Sequence, residues 1–227
     1  MNYILLFCLG IFIVSCGNQS GTKEVETIKE STTNEKSIRD TLNDDKTDFH
    51  ERTIWQKPYE IINLLGPLEN KTVADIGAGS GYFSFKFIHV AQKVIAIDIE
   101  KELVELMKDE LNYYKPELRS KFEARLAKTN DPMLNNNEVD VIFLSNTYCY
   151  ISNRVQYLKN LKSKLKEHGK IMIVDFKKKI TPIGPDLKAR LAQGDVETDL
   201  IDAGFEIVLS DDTKLQYQYI IIAEVKK

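Results

Sequence analysis

The segment Val73-Ala74-Asp75-Ile76-Gly77-Ala78-Gly79-Ser80-Gly81 constrains the fold of this chain more than any other. A short apolar run broken by one acid reads as a buried strand, and three glycines interleaved with small residues follow it at once. Glycine lets a backbone turn through left-handed conformations and approach a ligand closely. A strand, a glycine turn and a helix belong to a parallel α/β sheet, in which ligands bind outside the carboxyl ends of the strands.

The chain downstream of about residue 51 repeats that alternation. The spacing of apolar residues predicts strands at Thr72–Ile76, Lys93–Ile97, Lys121–Leu126, Val139–Leu144, Lys170–Asp175, Phe205–Ser210 and Tyr217–Val225. Helices are expected from Trp55-Gln56-Lys57-Pro58 onward, and at Tyr82–Val90, Lys101–Tyr113, Val155–Lys166 and Val196–Ala203. Strands alternating with helices imply a doubly wound α/β sheet. No helical pattern separates the last two strands, so they are expected to pair as an antiparallel hairpin.

What faces the glycines is constrained by two acids. Asp98 ends the second predicted strand, 23 residues after Asp75. A carboxylate at about that distance is placed to accept ribose hydroxyls, which points to a nucleoside ligand. A dinucleotide loop carries its third glycine one residue later and lays a pyrophosphate on the helix N-terminus. Asp75, two positions before Gly77, repels a pyrophosphate but suits a ligand with an ammonium group. These residues favour S-adenosylmethionine, which has a ribose, an ammonium and no phosphate, over a nicotinamide dinucleotide.

Asp75-Ile76-Gly77-Ala78-Gly79-Ser80-Gly81 resembles the first motif of class I S-adenosylmethionine-dependent methyltransferases. The resemblance runs from about Trp55 to Val225. Asp98 matches the ribose-binding acid, and Val139–Asn146 matches the fourth strand, which ends beside the cofactor. Leu165-Lys166-Glu167-His168-Gly169-Lys170-Ile171 is similar to the L-K-P-G-G-x-L turn before strand five, and Ala203-Gly204-Phe205 to the opening of strand six. Trp55-Gln56-Lys57-Pro58 and Asn146-Thr147-Tyr148 resemble motifs of an uncharacterised bacterial subgroup. The resemblance implies a Rossmann-like seven-stranded doubly wound sheet with an antiparallel last strand. It implies S-adenosylmethionine as cofactor, held by Asp75, Gly77, Ala78, Gly79, Gly81, Asp98, Ile99 and Asn146. Asn146, Thr147 and Tyr148 are expected to line the methyl-transfer pocket, with Tyr148 the candidate catalytic residue. Cys149-Tyr150 replaces the two histidines that often follow N-T-Y, and Lys128 lies near the position of the family's adenine-binding acid, so neither role carries over.

The N-terminus is of a different kind. Tyr3–Val14 is apolar and too short to span a bilayer comfortably, but suits the apolar core of an export signal. Ile13-Val14-Ser15-Cys16 resembles a bacterial lipobox, which implies a signal peptide over 1–16 and lipidation of Cys16. No Lys or Arg precedes the apolar run. Residues 17–50 are rich in Thr, Ser, Asn, Glu, Asp and Lys and read as a disordered tether, with a reach on the order of 30 Å as a flexible coil. A methyltransferase domain is expected over 51–227.

Composition bounds the partners. The chain has 227 residues and a formal net charge of −3, so no global basic field points to nucleic acid. Its 3 cysteines and 3 scattered histidines offer neither a disulfide framework nor zinc-ligand spacing. The expected protein is a lipid-anchored methyltransferase with a small-molecule acceptor, facing the periplasm or cell surface, or cytoplasmic if the signal is not processed. The alternative is a lipid-anchored S-adenosylmethionine- or nucleoside-binding protein that has lost catalysis.

Overall fold

The computed structural model describes residues 51–225. The expected signal segment, the tether and Cys16 lie outside the described residues. Seven strands form one sheet: β1 Thr72–Ile76, β2 Lys93–Asp98, β3 Phe122–Leu126, β4 Val139–Ser145, β5 Leu165–Phe176, β6 Phe205–Asp211 and β7 Gln218–Val225. Their spatial order is β3-β2-β1-β4-β5-β7-β6. Strands β1 to β5 pair in parallel, and β7 runs antiparallel between β5 and β6. The hairpin expected from the missing helix is present. Its second strand turns inward, so β6 becomes the edge.

Strands β1 and β2 are buried along nearly their whole length, which is why they read as apolar runs without alternation. On one face, Ala74, Ile76, Ile142, Leu144 and Ile173 form a core with Leu158 of helix α5 (Arg154–Lys164) and Leu200 of α6 (Gln193–Asp202). On the other, Phe143 of β4 meets Phe83 and Phe87, with ring centroids 4.6 and 5.1 Å away. Helices α1 (Pro58–Asn63), α2 (Ser84–Phe87) and α3 (Lys101–Leu111) precede or follow the first strands, and a short α4 (Pro116–Arg119) leads into β3. Because successive strand residues point to opposite faces, Asp75 lies opposite Ala74 and Ile76, and Asp175 shares the α5–α6 face with Ile173.

Two helices differ from expectation. The first is already helical over residues 51–56 and breaks at Lys57, which adopts φ 49° before Pro58 restarts it as α1. Proline disfavours the helical conformation of its predecessor, which explains the break. The predicted Tyr82–Val90 helix contracts to the four residues of α2, flanked by turns. Aromatic and β-branched residues crowd this segment and lose rotamer freedom in a helix, so packing rather than propensity shapes it.

Candidate active site

The glycine loop joins β1 to α2 at the carboxyl end of the sheet. Gly77, Gly79 and Gly81 all take positive φ, at 72°, 59° and 90°. Only glycine adopts such angles without a steric penalty. Their surroundings separate them. A Cβ on Gly77 would sit inside the Thr147 side chain, and one on Gly81 would meet the Phe85 ring at 2.5 Å. A Cβ on Gly79 meets nothing within 4 Å. Gly77 and Gly81 are therefore packing glycines, whereas Gly79 faces open space.

The amides of Gly77, Ala78, Gly79 and Gly81 are spent on the protein itself. Gly77 and Ala78 donate to the Ile97 carbonyl at 2.8 and 3.0 Å, and Gly81 donates to the Ala78 carbonyl at 2.9 Å. Gly79 donates to Asp98 Oδ2 at 2.8 Å. With α2 only one turn long, the loop is held by these bonds to β2 rather than by a helix N-terminus.

Asp98 is 7% exposed, and its Oδ1 accepts the Glu100 amide at 3.0 Å. That bond shapes the turn into α3, whose N-cap is Glu100. Each carboxylate oxygen keeps further acceptor capacity. Ile99 beside it is 58% exposed, an apolar surface next to an acid at the mouth of the site. Asp75 is buried beneath the loop, where its Oδ2 accepts Ser84 Oγ at 2.6 Å. Burial pushes its pKa up to about 6, opposed by the Ser84 bond and the Arg52 charge. Asp75 therefore reaches the loop through Ser84 rather than projecting into the open space at Gly79.

The end of β4 closes the other side. Asn146 takes φ 57°, a conformation asparagine tolerates, and its Oδ1 accepts Gln218 Nε2 at 2.6 Å. Thr147 packs on Gly77 and donates to the Ser145 carbonyl at 3.0 Å. Tyr148 departs from its expected role. It is fully buried in the α5–α6 core, and its hydroxyl donates to Asp199 of α6 at 3.1 Å. Burial, then the Asp199 charge, raises its pKa far above the ordinary range. A phenol so enclosed anchors the Tyr148–Tyr150 turn and lines no pocket. Cys149 is half-buried, with its thiol pushed up to about 12 by burial and by Asp175, so it is no nucleophile.

Sequence reasoning missed how residues 51–56 cross this edge of the sheet. Gln56 is fully buried and donates to Ser145 Oγ at 3.0 Å, while its Oε1 accepts Arg52 Nε at 2.6 Å. Thr53 and Tyr82 share a hydroxyl bond at 3.0 Å, and Trp55 packs on Phe176 and Tyr217, with ring centroids 5.6 and 6.2 Å apart. The W-Q-K-P motif was the available signal, and Gln56 is the residue it should have singled out. Among the described residues, no cluster of His, Cys, Asp or Glu could hold a metal ion.

Comparison with known proteins agrees with this geometry. The methyltransferase-domain family matches residues 67–221. The chain belongs to that family, and its fold is the Rossmann-like fold of S-adenosylmethionine-dependent methyltransferases. It is similar to a SAM-dependent methyltransferase from Aquifex aeolicus, at 25% identity and TM-score 0.71, covering 77% of this chain and 93% of that one. It also shares its fold with the glycopeptide N-methyltransferase MtfA, at 13% identity and TM-score 0.64, covering 75% and 90%. A third is the Haemonchus contortus phosphoethanolamine N-methyltransferase 1, solved with phosphoethanolamine and S-adenosylhomocysteine. It shows 16% identity and TM-score 0.60, with coverage of 75% and 42%. No curated protein matches the chain.

Proposed function

We propose that the protein transfers a methyl group from S-adenosylmethionine to a small-molecule acceptor. The observation that carries this reading is Gly79, whose left-handed backbone leaves open space where a side chain would stand, hydrogen-bonded to Asp98 with Ile99 next in the chain. When bound, S-adenosylmethionine supplies a methyl group activated by a positively charged sulfur. In this reading Asp98 accepts the ribose hydroxyls and Ile99 offers an apolar surface to the adenine. Gly77, Ala78 and Gly81 fix the loop path, and Gly79 allows close approach. Asp75 holds the loop exit through Ser84 and places negative charge beneath the ammonium group. Asn146 and Thr147 bound the acceptor side. Methyl transfer needs alignment and exclusion of water more than acid–base groups, which suits a site braced by backbone bonds. The net charge of −3 offers nucleic acid no general attraction.

Calorimetric titration tests this reading. The protein should bind S-adenosylmethionine and S-adenosylhomocysteine but not NAD, and Asp98→Ala should weaken binding at least tenfold. Binding of NAD alone would overturn it.

We further propose that Cys16 is lipidated and holds the domain at a membrane surface on the periplasmic or outer side. Ser15-Cys16 after an apolar run supports this. Among the described residues no helix is long and apolar enough to cross a membrane. Mass spectrometry of the mature chain should find acylated Cys16 at the N-terminus; an intact Met1 would rule the anchor out.

A further inference from the structure

Asp98 and Asp75 suit the ribose and the ammonium group of S-adenosylmethionine, but no acid can hold its carboxylate. The methionine end of the cofactor is an α-amino acid, a zwitterion that needs a base beside an acid. The sheet order indicates where that end lies. The chain fills β3-β2-β1 on one side and β4-β5 on the other, so the order reverses between β1 and β4. Ligands of open α/β sheets bind in the crevice at such a switch point. With the ribose on Asp98 of β2, a cofactor that crosses the β1 loop brings its methionine end to the β1–β4 crevice.

Arg52 stands at that crevice. Its Nε donates to Gln56 Oε1 at 2.6 Å, and Gln56 donates to Ser145 Oγ at 3.0 Å, at the end of β4. Its guanidinium carbon lies 4.1 Å from the centroid of the Tyr82 ring and 5.9 Å from that of Phe83, the two residues that follow Gly81 out of the loop. One side chain thus joins the loop exit to the end of β4, and the fully buried Gln56 holds it there. Burial lifts the Asp75 pKa to about 6, and the Ser84 bond and then the Arg52 charge draw it back, so base and acid stand within electrostatic reach. A second cation, Lys86, lies 3.6 Å from the Tyr82 centroid, with its Nζ donating to the Tyr82 carbonyl at 3.1 Å. Burial and then the Arg52 charge lower its pKa to about 8. Two cations gathered on one ring favour an anion between them.

We propose that Arg52 binds the methionine carboxylate of S-adenosylmethionine, with Asp75 supplying the opposite charge for the ammonium group. This rests on the methyltransferase reading and adds a cofactor-binding residue from outside the glycine loop. A guanidinium meets a carboxylate through two parallel N–H···O bonds, a geometry that an ammonium on a flexible stem does not reproduce. Residues 51–56 are then part of the site and not only a brace across it. Arg52 sets the preference for an amino-acid-bearing nucleoside over one that lacks the carboxylate.

Calorimetry on the full-length protein tests this with S-adenosylhomocysteine and with 5′-(3-aminopropyl)thioadenosine, the same molecule without its carboxylate. Wild type should bind S-adenosylhomocysteine roughly ten- to hundredfold more tightly, the worth of a hydrogen-bonded charge. Arg52→Gln should bind both ligands alike, within about threefold of the wild-type affinity for the aminopropyl compound. Arg52→Lys should recover part of the preference, and Lys86→Gln should keep it. Failure of wild type to bind either ligand would sink the methyltransferase reading and this proposal with it. Wild type that binds both ligands equally would overturn the proposal alone, without recourse to any variant. So would an Arg52→Gln protein that keeps the preference, whether or not it weakens both ligands, since that is the behaviour of a purely structural brace.

Discussion

Replacing Gly79 with alanine separates what the loop does for folding from what it does for the ligand. The residue adopts φ 59°, and an alanine held there loses about 1–2 kcal/mol against glycine. For a domain of this size that lowers Tm by about 2–8 °C. The added methyl meets no protein atom within 4 Å, so folding suffers nothing further. The same methyl enters the space assigned to the cofactor. Overpacking by one methyl costs about 1–3 kcal/mol, or roughly a 5- to 150-fold loss of affinity. Gly66 supplies the control. It follows α1, away from the loop, with φ 78° and nothing within 4 Å of its Cβ position. Gly66→Ala should lose a similar amount of stability and bind S-adenosylhomocysteine as wild type does. Thermal melts and calorimetric titration of both variants decide the matter. If Gly79→Ala binds the ligand normally, or Gly66→Ala loses binding equally, the ligand space has been assigned to the wrong residue.

Other outcomes follow from the same structure. Asp75 titrates near 6 in the fold and near 3.8 when unfolded, so the folded state holds its proton over that interval. Stability contributed by the protonated form is therefore lost as pH rises from about 4 to about 6, by about 3 kcal/mol, and Asp175 extends the loss towards 7. Asp75→Asn should flatten the stability profile in urea between those pH values while keeping an acceptor for Ser84; an unchanged slope would refute the assignment. Glu123 and Glu138 act in the opposite sense. Hydrogen bonds and charge from Arg125, joined by Lys93, hold their pKa values down, so their contribution fades as pH falls below the ordinary carboxylate range. His168 stands where the family's turn before strand five normally has glycine; in the structure it lies within β5, exposed, and takes φ 60°. His168→Gly should raise stability by about 0.5–1 kcal/mol, measured by urea unfolding. Arg190 is 5% exposed and donates to the carbonyls of Pro185, Lys177, Lys179 and Ile183. Arg190→Ala should therefore speed amide exchange across residues 177–190 and leave β1 protected.

Much of this was legible in the sequence because the physics was local. The runs Thr72–Ile76 and Lys93–Asp98 are buried on both faces, so composition alone marked them as strands. The absence of a helix between Asp211 and Gln218 marked the hairpin. The glycines were legible as a group but not individually. Only the packing of Thr147 and Phe85 distinguishes Gly77 and Gly81 from Gly79. Tyr148 was misread because it follows a strand that ends at the site. Its side chain instead returns to the core, where Asp199, 51 residues later, takes its hydroxyl. The inner position of β7 is likewise a long-range property that no local pattern records.

The most direct test of the account is a calorimetric titration of the full-length protein with S-adenosylmethionine and with S-adenosylhomocysteine. The account predicts saturable binding of both in the micromolar range. If neither binds, the glycine loop does not hold the cofactor assigned to it, and the methyltransferase activity proposed here is contradicted.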